Sequence, residues 1–599
     1  MRIRTFNKLV EASELTPFAL RDATVVVDGQ NFFYQSYDQA GLTSTFGIES
    51  DRYAHYLREH LSMFKKANIK CYFLFKGGHE NLHSRLKLQN NNWTTVPTFM
   101  KEIYMEILQE MDFKYVECEY ESTKDIIELA QQLNCPVISY DIKFCFSGLQ
   151  YIPRVTLALN ADNNTINCGY FLFENFLKRH RLTAKKMAAF IVLRDERIFR
   201  EHTFAVFFNH LRAPIGHFKR NLHLLHWLSK SDDDQIRSSI FKFISTEDQN
   251  KFVEEENKAR SLIARRESGG LGAACLLDRG AARGTRADPS WFAKGVARGH
   301  VATDYVNLYR SKVLLGAPLI PGFEQDNATL VSLEIVFYAY DLLTDFKNDG
   351  FTFVYEIDYT DQGKRTLEVT STHSIRKPAY EAEQCVFENG WSEVRSLGLL
   401  EHFVREALGG ASLRRLERAP AQARLLLLAL AYCARRRPAQ PQALPAAVLL
   451  CHVTLDLVHD RANKNNLPKF PYETKPILDF MTDKSNVTEA DCKVAAVIME
   501  DYFHSPTCDV GHTLDRGLLH SLAEFQQCLL QLNALNALCG APLRAPVFAR
   551  TYNGTLIYRL LHAAERAADP MVFLNQLLSP APTVYAFLHG LLKNYENML

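Results

Sequence analysis

The 599-residue sequence holds thirteen cysteines but no Cys-x-x-Cys pair. An odd, scattered set argues against a disulfide framework and against a cysteine-ligated zinc site. It fits a reducing compartment, cytosol or nucleus. Long apolar runs are also missing. The longest, Leu425–Ala434, is ten residues between arginines, too short to span a bilayer, so no membrane partner is expected. The start, Met1-Arg2-Ile3-Arg4-Thr5-Phe6, has charge with no apolar stretch behind it, which predicts no secretory signal. Net charge is only +1, so nucleic acid would have to be held by local patches rather than by a global field. There is no Gly-x-x-x-x-Gly-Lys loop, no Gly-x-Ser-x-Gly elbow and no His-Glu-x-x-His pair, which argues against three large enzyme classes. Gly269-Gly270-Leu271-Gly272 follows no strand, and the twenty histidines lack ligand spacing.

What is present is an ordinary globular composition, 47% apolar and 23% charged, in a chain long enough for two or three domains. The organising stretch is Thr24-Val25-Val26-Val27-Asp28-Gly29. Three valines in a row suit a strand covered on both faces, and the strand ends on a carboxylate. Asn134-Cys135-Pro136-Val137-Ile138-Ser139-Tyr140-Asp141 repeats the design. Two strands delivering acids to one sheet edge would begin a metal site. Between them lie a helical pattern over 52–66, a strand over 69–75 and a polar stretch over 79–97. A helix over 97–111, a strand over 113–118 and a helix over 123–133 follow. Ser122 and Asp125 have capping-box spacing at the start of the last helix. Strands alternating with helices predict a mainly parallel, doubly wound sheet.

Residues 170–260 read as helices, including 173–180, 185–193 and 221–228. Asp232–Asp234 suits a helix N-terminus, and the charged run 247–260 reads as a solvated helix face. The Gly/Ala/Arg-rich stretch 264–288 is the linker candidate. From 289 onward the patterns are mostly helical, with a possible strand pair at 351–357 and 365–370. The section between Pro378 and Asn463 has no lysine but many arginines. Arg435–Arg437 could meet phosphate, but the end of a leucine-rich helix is the simpler reading.

Several stretches together resemble the asteroid family, a branch of the flap-endonuclease/XPG class of PIN-domain nucleases. They are Val25-Val26-Val27-Asp28-Gly29, Glu121-Ser122-Thr123-Lys124-Asp125-Ile126 and Asn134–Ser139 with Asp141. Later ones are Leu224–Ser229, Pro289–Leu315, and Phe525–Leu529 leading to Tyr552-Asn553-Gly554-Thr555-Leu556. The resemblance implies an α/β PIN-like parallel-sheet domain at the N-terminus followed by a mostly helical region. Its expected boundaries are 1–160 for the α/β domain, 161–263 for a helical extension, 264–288 for the linker and 289–599 for the C-terminal region. It also implies a sheet edge that holds Mg²⁺ or Mn²⁺ and cleaves single-stranded or branched DNA. Growth-factor-receptor signalling, through protein partners that no residue specifies, is a further family association.

Matched to that pattern, Asp28, Glu121 and Asp141 are the expected catalytic carboxylates. The expected metal set is Asp28, Glu119, Glu121, Asp141 and Glu196, where Glu119 enters through Glu-x-Glu spacing with Glu121. Four positions depart from the pattern. Lys76, Thr123 and Lys143 stand where acids belong, and Arg197 does so if the turn has no gap. A protonated lysine about 4 Å from a divalent ion is repelled by roughly 8 kcal/mol at an effective dielectric of 20. The expectation is therefore a nuclease-like protein with an eroded metal site that retains nucleic-acid binding. An active metal-dependent endonuclease and a signalling scaffold are the alternatives. Arg2, Lys65, Lys66, Arg85, Lys87, Lys185 and Lys186 are the candidate phosphate contacts.

Overall fold

A computed structural model of the chain describes residues 3–80, 82, 96–196, 198–199, 202–263, 276, 291–316, 325–356, 364–370, 374–379, 386–388, 390–462, 480–504 and 514–599. Two compact units are present, each assembled from separated stretches. The first is Met1–Phe33, Glu59–Lys76 and Phe113–Gly284; the second is Tyr34–Arg58, Gly77–Asp112 and Thr285–Leu599.

The first unit is built on a five-stranded sheet. Its strands are β2 (Thr24–Asp28), β3 (Lys70–Phe75), β4 (Lys114–Glu117), β5 (Val137–Ser139) and β6 (Tyr151–Pro153), in the order β4-β3-β2-β5-β6. All four pairings are parallel. From β2 the chain builds outward through β3 and β4, then returns to the other side of β2 for β5 and β6. The order reverses between β2 and β5, the switch point where open α/β sheets place a ligand crevice at the carboxyl ends of the strands. Val25, Val26 and Val27 are fully buried, as a strand covered on both faces requires. Helix Thr123–Leu133 packs on β2 with Ile126, Leu129 and Ala130 buried. It starts at the expected residue, but Ser122 makes no side-chain cap bond. Its φ of −79° and ψ of −7° are already helical rather than the extended geometry that aims an N-cap hydroxyl.

The sequence did not signal a second, antiparallel sheet of β1 (Thr16–Leu20), β7 (Ala158–Asn160) and β8 (Thr165–Tyr170), in the order β1-β8-β7. Four of the five β1 residues are exposed, so no apolar alternation marks it. The helices at Phe173–His180, Ala184–Arg194, His217–Lys230 and Thr246–Ile263 fall where expected. In the last of these, Glu256 departs from the solvated face: it is 1% exposed and held by Arg237 and Arg260 at 2.7 Å each. The expected linker lies outside the described residues except for Leu276.

The second unit is mostly helical. Its small sheet joins β9 (Val313–Gly316) in parallel to β10 (Gly350–Glu356), which pairs antiparallel with β11 (Lys364–Thr370). Helix Arg424–Arg436 is buried all along 425–433 and packs against helices Arg516–Leu538 and Pro582–Glu596, so its apolar run is core. Arg436 pairs with Glu334, and Arg437 with Glu524 at 2.6 Å, which favours the helix-end reading of that basic run. Among the described residues no helix is long and apolar enough to cross a membrane.

The Tyr552–Leu556 stretch is part of a buried polar seam in this unit. Thr555 Oγ1 donates to Glu49 at 2.7 Å and Asn553 Nδ2 donates to Asp51 at 2.7 Å. The Ser50 hydroxyl donates to the Tyr552 carbonyl. Gly554 lies so close to the Phe46 carbonyl that a Cβ would sit 2.2 Å from its oxygen. Glu106 accepts the backbone N–H groups of Phe548 (2.7 Å) and Ala549 (3.0 Å), and burial pushes its pKa up to about 7.

Candidate functional site at the sheet edge

The switch point collects the end of β2, the end of β5 and the residues after β3. Asp28 closes β2 and is 2% exposed. Its carboxylate accepts the Ser139 hydroxyl at 2.7 Å, the Asn31 side-chain amide at 2.5 Å and the Asn31 N–H at 3.4 Å. Burial raises its pKa, against the opposing pull of Lys143 and of these hydrogen bonds. Ser139 Oγ also accepts the Asp141 N–H at 2.9 Å, so one hydroxyl links the two strand-end aspartates.

The other two expected catalytic acids each have a lysine. Glu121 accepts Lys76 Nζ at 2.7 Å, and Asp141 faces Lys143 Nζ at 3.3 Å. Asp141 also caps the short 3₁₀ turn Ile142–Phe146 by accepting the Lys143 N–H. Glu119 lies in the turn between β4 and helix Thr123–Leu133, and Thr123 is that helix's first residue. Glu196 follows helix Ala184–Arg194. It bonds Arg4 at 2.7 Å, with His217 at 3.8 Å. Among the described residues no three His, Cys, Asp or Glu side chains are grouped to hold a metal ion. The five expected ligands are therefore not brought into one set. Ser139 and Asn31 hydrogen-bond Asp28, lysines engage Glu121 and Asp141, and Arg4 holds Glu196.

Two of the proposed phosphate contacts lie away from this edge. Lys65 and Lys66 end helix Ser50–Lys66 and lead into Lys70, the first residue of β3. They lie at the opposite end of the sheet, about 17 Å away at a rise of roughly 3.3 Å per residue. Lys185 pairs with Asp234 at 2.8 Å and Lys186 with Asp233 at 3.6 Å. Arg2, Arg85, Lys87 and Arg197 lie outside the described residues.

Sequence reasoning missed a cationic box beside the acids. Arg154 follows the last residue of β6 and is 4% exposed. Its guanidinium lies 4.1 Å from the Phe32 ring centre and 5.1 Å from that of Tyr140. Nη2 lies 2.6 Å from His60 Nε2. Burial and the arginine together lower the His60 pKa to about 4. No local pattern signals this, because residues 32, 60, 140 and 154 meet only once the sheet forms. Asn31, three residues after Asp28, is the one partner that local spacing could have suggested.

The parallel sheet, its switch point and the strand-end acids define an α/β domain, followed by a mostly helical region. A family model described as the Asteroid N-terminal domain matches residues 422–599. Protein asteroid of Drosophila melanogaster is 20% identical, over 94% of this chain and 88% of its own length. The single-strand DNA endonuclease ASTE1 of Homo sapiens is 23% identical, over 42% of this chain and 43% of its own. These matches bear out the resemblance to the asteroid family. Among solved structures, the catalytic core of Rad2 in complex with DNA substrate is matched at 13% identity and a TM-score of 0.29, over 51% of this chain and 98% of that one. At that score the likeness carries no argument about the site.

Proposed function

We propose that this protein is a nuclease-like nucleic-acid-binding protein in which lysines, rather than metal ions, balance the acids at the sheet edge. The observation that carries this reading is the pairing of Lys76 with Glu121 at 2.7 Å and of Lys143 with Asp141 at 3.3 Å. Each lysine supplies in place the positive charge that a divalent ion would bring. A metal entering here would first have to displace both ammonium groups. The ligand class is single-stranded or branched DNA, held through its phosphates.

A second reading, an active metal-dependent endonuclease, is favoured by the name of the human relative, a single-strand DNA endonuclease. The two separate in one assay on end-labelled single-stranded, overhang and flap DNA with Mg²⁺ or Mn²⁺. The wild type is compared with an Asp28→Asn/Glu121→Gln double variant. Equal background cleavage, with salt-sensitive DNA binding retained in both, supports the lysine-balanced reading. Cleavage by the wild type alone overturns it.

A further inference from the structure

Tyr140 stands at the carboxyl edge of the sheet, between Ser139, the last residue of β5, and Asp141. It occupies a position between two site residues, yet its side chain is an aromatic ring and only half-buried. One side of that ring carries the Arg154 guanidinium at 5.1 Å, and Phe32 braces it at 6.3 Å with a 57° tilt. Arg154 is itself fixed by the Phe32 face at 4.1 Å, by the Phe32 carbonyl at 3.5 Å and by His60 at 2.6 Å.

A guanidinium is a permanent cation, and the partners that Arg154 has among the described residues are His60, the Phe32 carbonyl and two aromatic rings, with no carboxylate. Burying a cation without an anion is expensive, and aromatic faces return only part of the cost. The arrangement does little for stability that a well-packed apolar side chain would not do better. What it does provide is a stacked pair, ring on guanidinium, at the carboxyl edge of the sheet. The lysines at positions 76 and 143 flank the same edge. Aromatic rings set among cations are the combination that holds single-stranded nucleic acid, bases on the rings and phosphates on the charges.

We propose that Tyr140 is a nucleobase-stacking platform at the sheet edge, and that Arg154 is the residue that positions its ring. The proposal rests on the nucleic-acid-binding reading above and adds to it the part of the ligand that is read, the base rather than the phosphate.

The test compares two fluorescein-labelled oligonucleotides of equal length and charge by anisotropy. One is an ordinary single strand and the other is abasic throughout. The wild type is expected to bind the base-bearing strand roughly tenfold more tightly, about the contribution of one stacked base. Tyr140→Ala should abolish that preference and leave the abasic affinity and its salt dependence unchanged, whereas Tyr140→Phe should keep it. Arg154→Lys keeps the charge but loses the planar stacking surface, and should shrink the preference without altering abasic binding. A 2-aminopurine in the strand should be quenched by the wild type and by Tyr140→Phe, but not by Tyr140→Ala. Equal binding of the two oligonucleotides by the wild type overturns the stacking platform and leaves phosphate binding standing. Binding of neither overturns both readings. If Tyr140→Ala weakens both oligonucleotides alike, Tyr140 is only a structural residue and the proposal fails.

Discussion

Each unit contains a cluster of polar groups, and the two clusters are built differently. In the first unit the sheet edge is half-open: the Lys76–Glu121 pair is 18% and 45% exposed, and the Lys143–Asp141 pair 21% and 25%. In the second, Glu49, Asn553 and Thr555 are at most 3% exposed and bond to one another's segments. Half-exposed ion pairs contribute at most about 1 kcal/mol, because water screens them and their side chains lose entropy. Buried groups with every bond made are costly to disturb, because any loss leaves a donor or acceptor stranded without water. The Tyr552–Leu556 stretch, which resembles the family as strongly as the strand ends do, is thus explained by folding. The lysine-paired edge is not.

The difference can be tested from its strongest side first. Gly554→Ala places a methyl group 2.2 Å from the Phe46 carbonyl oxygen, a backbone atom that cannot swing away. It should cost about 4 kcal/mol by urea denaturation, or abolish soluble protein. A next test uses pH, because the two regions respond with opposite sign. The His60 pKa is depressed from 6.5 to about 4, so its contribution is full above pH 6.5 and is lost as pH falls towards 4. The Glu106 pKa is raised from 4.5 to about 7, so its contribution is full below pH 4.5 and is lost as pH rises through 7. Each amounts to about 3 kcal/mol across its window. Unfolding free energies measured from pH 4 to 8 should lose the acid-side slope in His60→Gln and the opposing slope in Glu106→Gln. If neither variant changes the profile, the two environments are not as enclosed as the contacts imply.

Smaller effects are expected at the sheet edge. The raised Asp28 pKa means that its ionised form costs stability at neutral pH, a cost that disappears as pH falls and the group protonates. Asp28→Asn should therefore be at its most favourable relative to the wild type at pH 7, with that advantage fading towards pH 4 in thermal melts. Destabilisation at pH 7 would mean that the carboxylate serves the fold. Lys76→Ala should change stability by less than about 1 kcal/mol. Added Mg²⁺ should leave the wild-type Tm within about 1 °C but raise that of a Lys76→Asp/Lys143→Asp variant by about 2 °C or more, since only the latter offers unopposed carboxylates.

Much of this architecture was legible. β2, β3, β5, the helix at 123–133 and the strand pair at 350–356 and 364–370 carry their own local signals: runs of buried apolar residues, helical periodicity and alternation. The place of Lys76 was legible as well, because a residue directly after a strand has its position set by that strand. The β1-β8-β7 sheet was not, since its strands are short or exposed and join residues about 150 apart. Nor was the true surrounding of the acids. Ser139 meets Asp28 across 111 residues, and Lys76 meets Glu121 across the β3–β4 pairing.

By itself, the order of residues determined which segments become strands and helices, that two strands end in carboxylates, and that lysines stand where further acids would be expected. These are local properties, set by burial patterns a few residues long. Only the tertiary structure decided that Asp28 is spent on Ser139 and Asn31, that each lysine takes a different carboxylate, and that Arg154 is clamped between Phe32 and Tyr140. Hydrogen bonds, ion pairs and ring stacking act over a few ångströms in space. Which residues come that close is set by the register of the sheet and not by their distance along the chain.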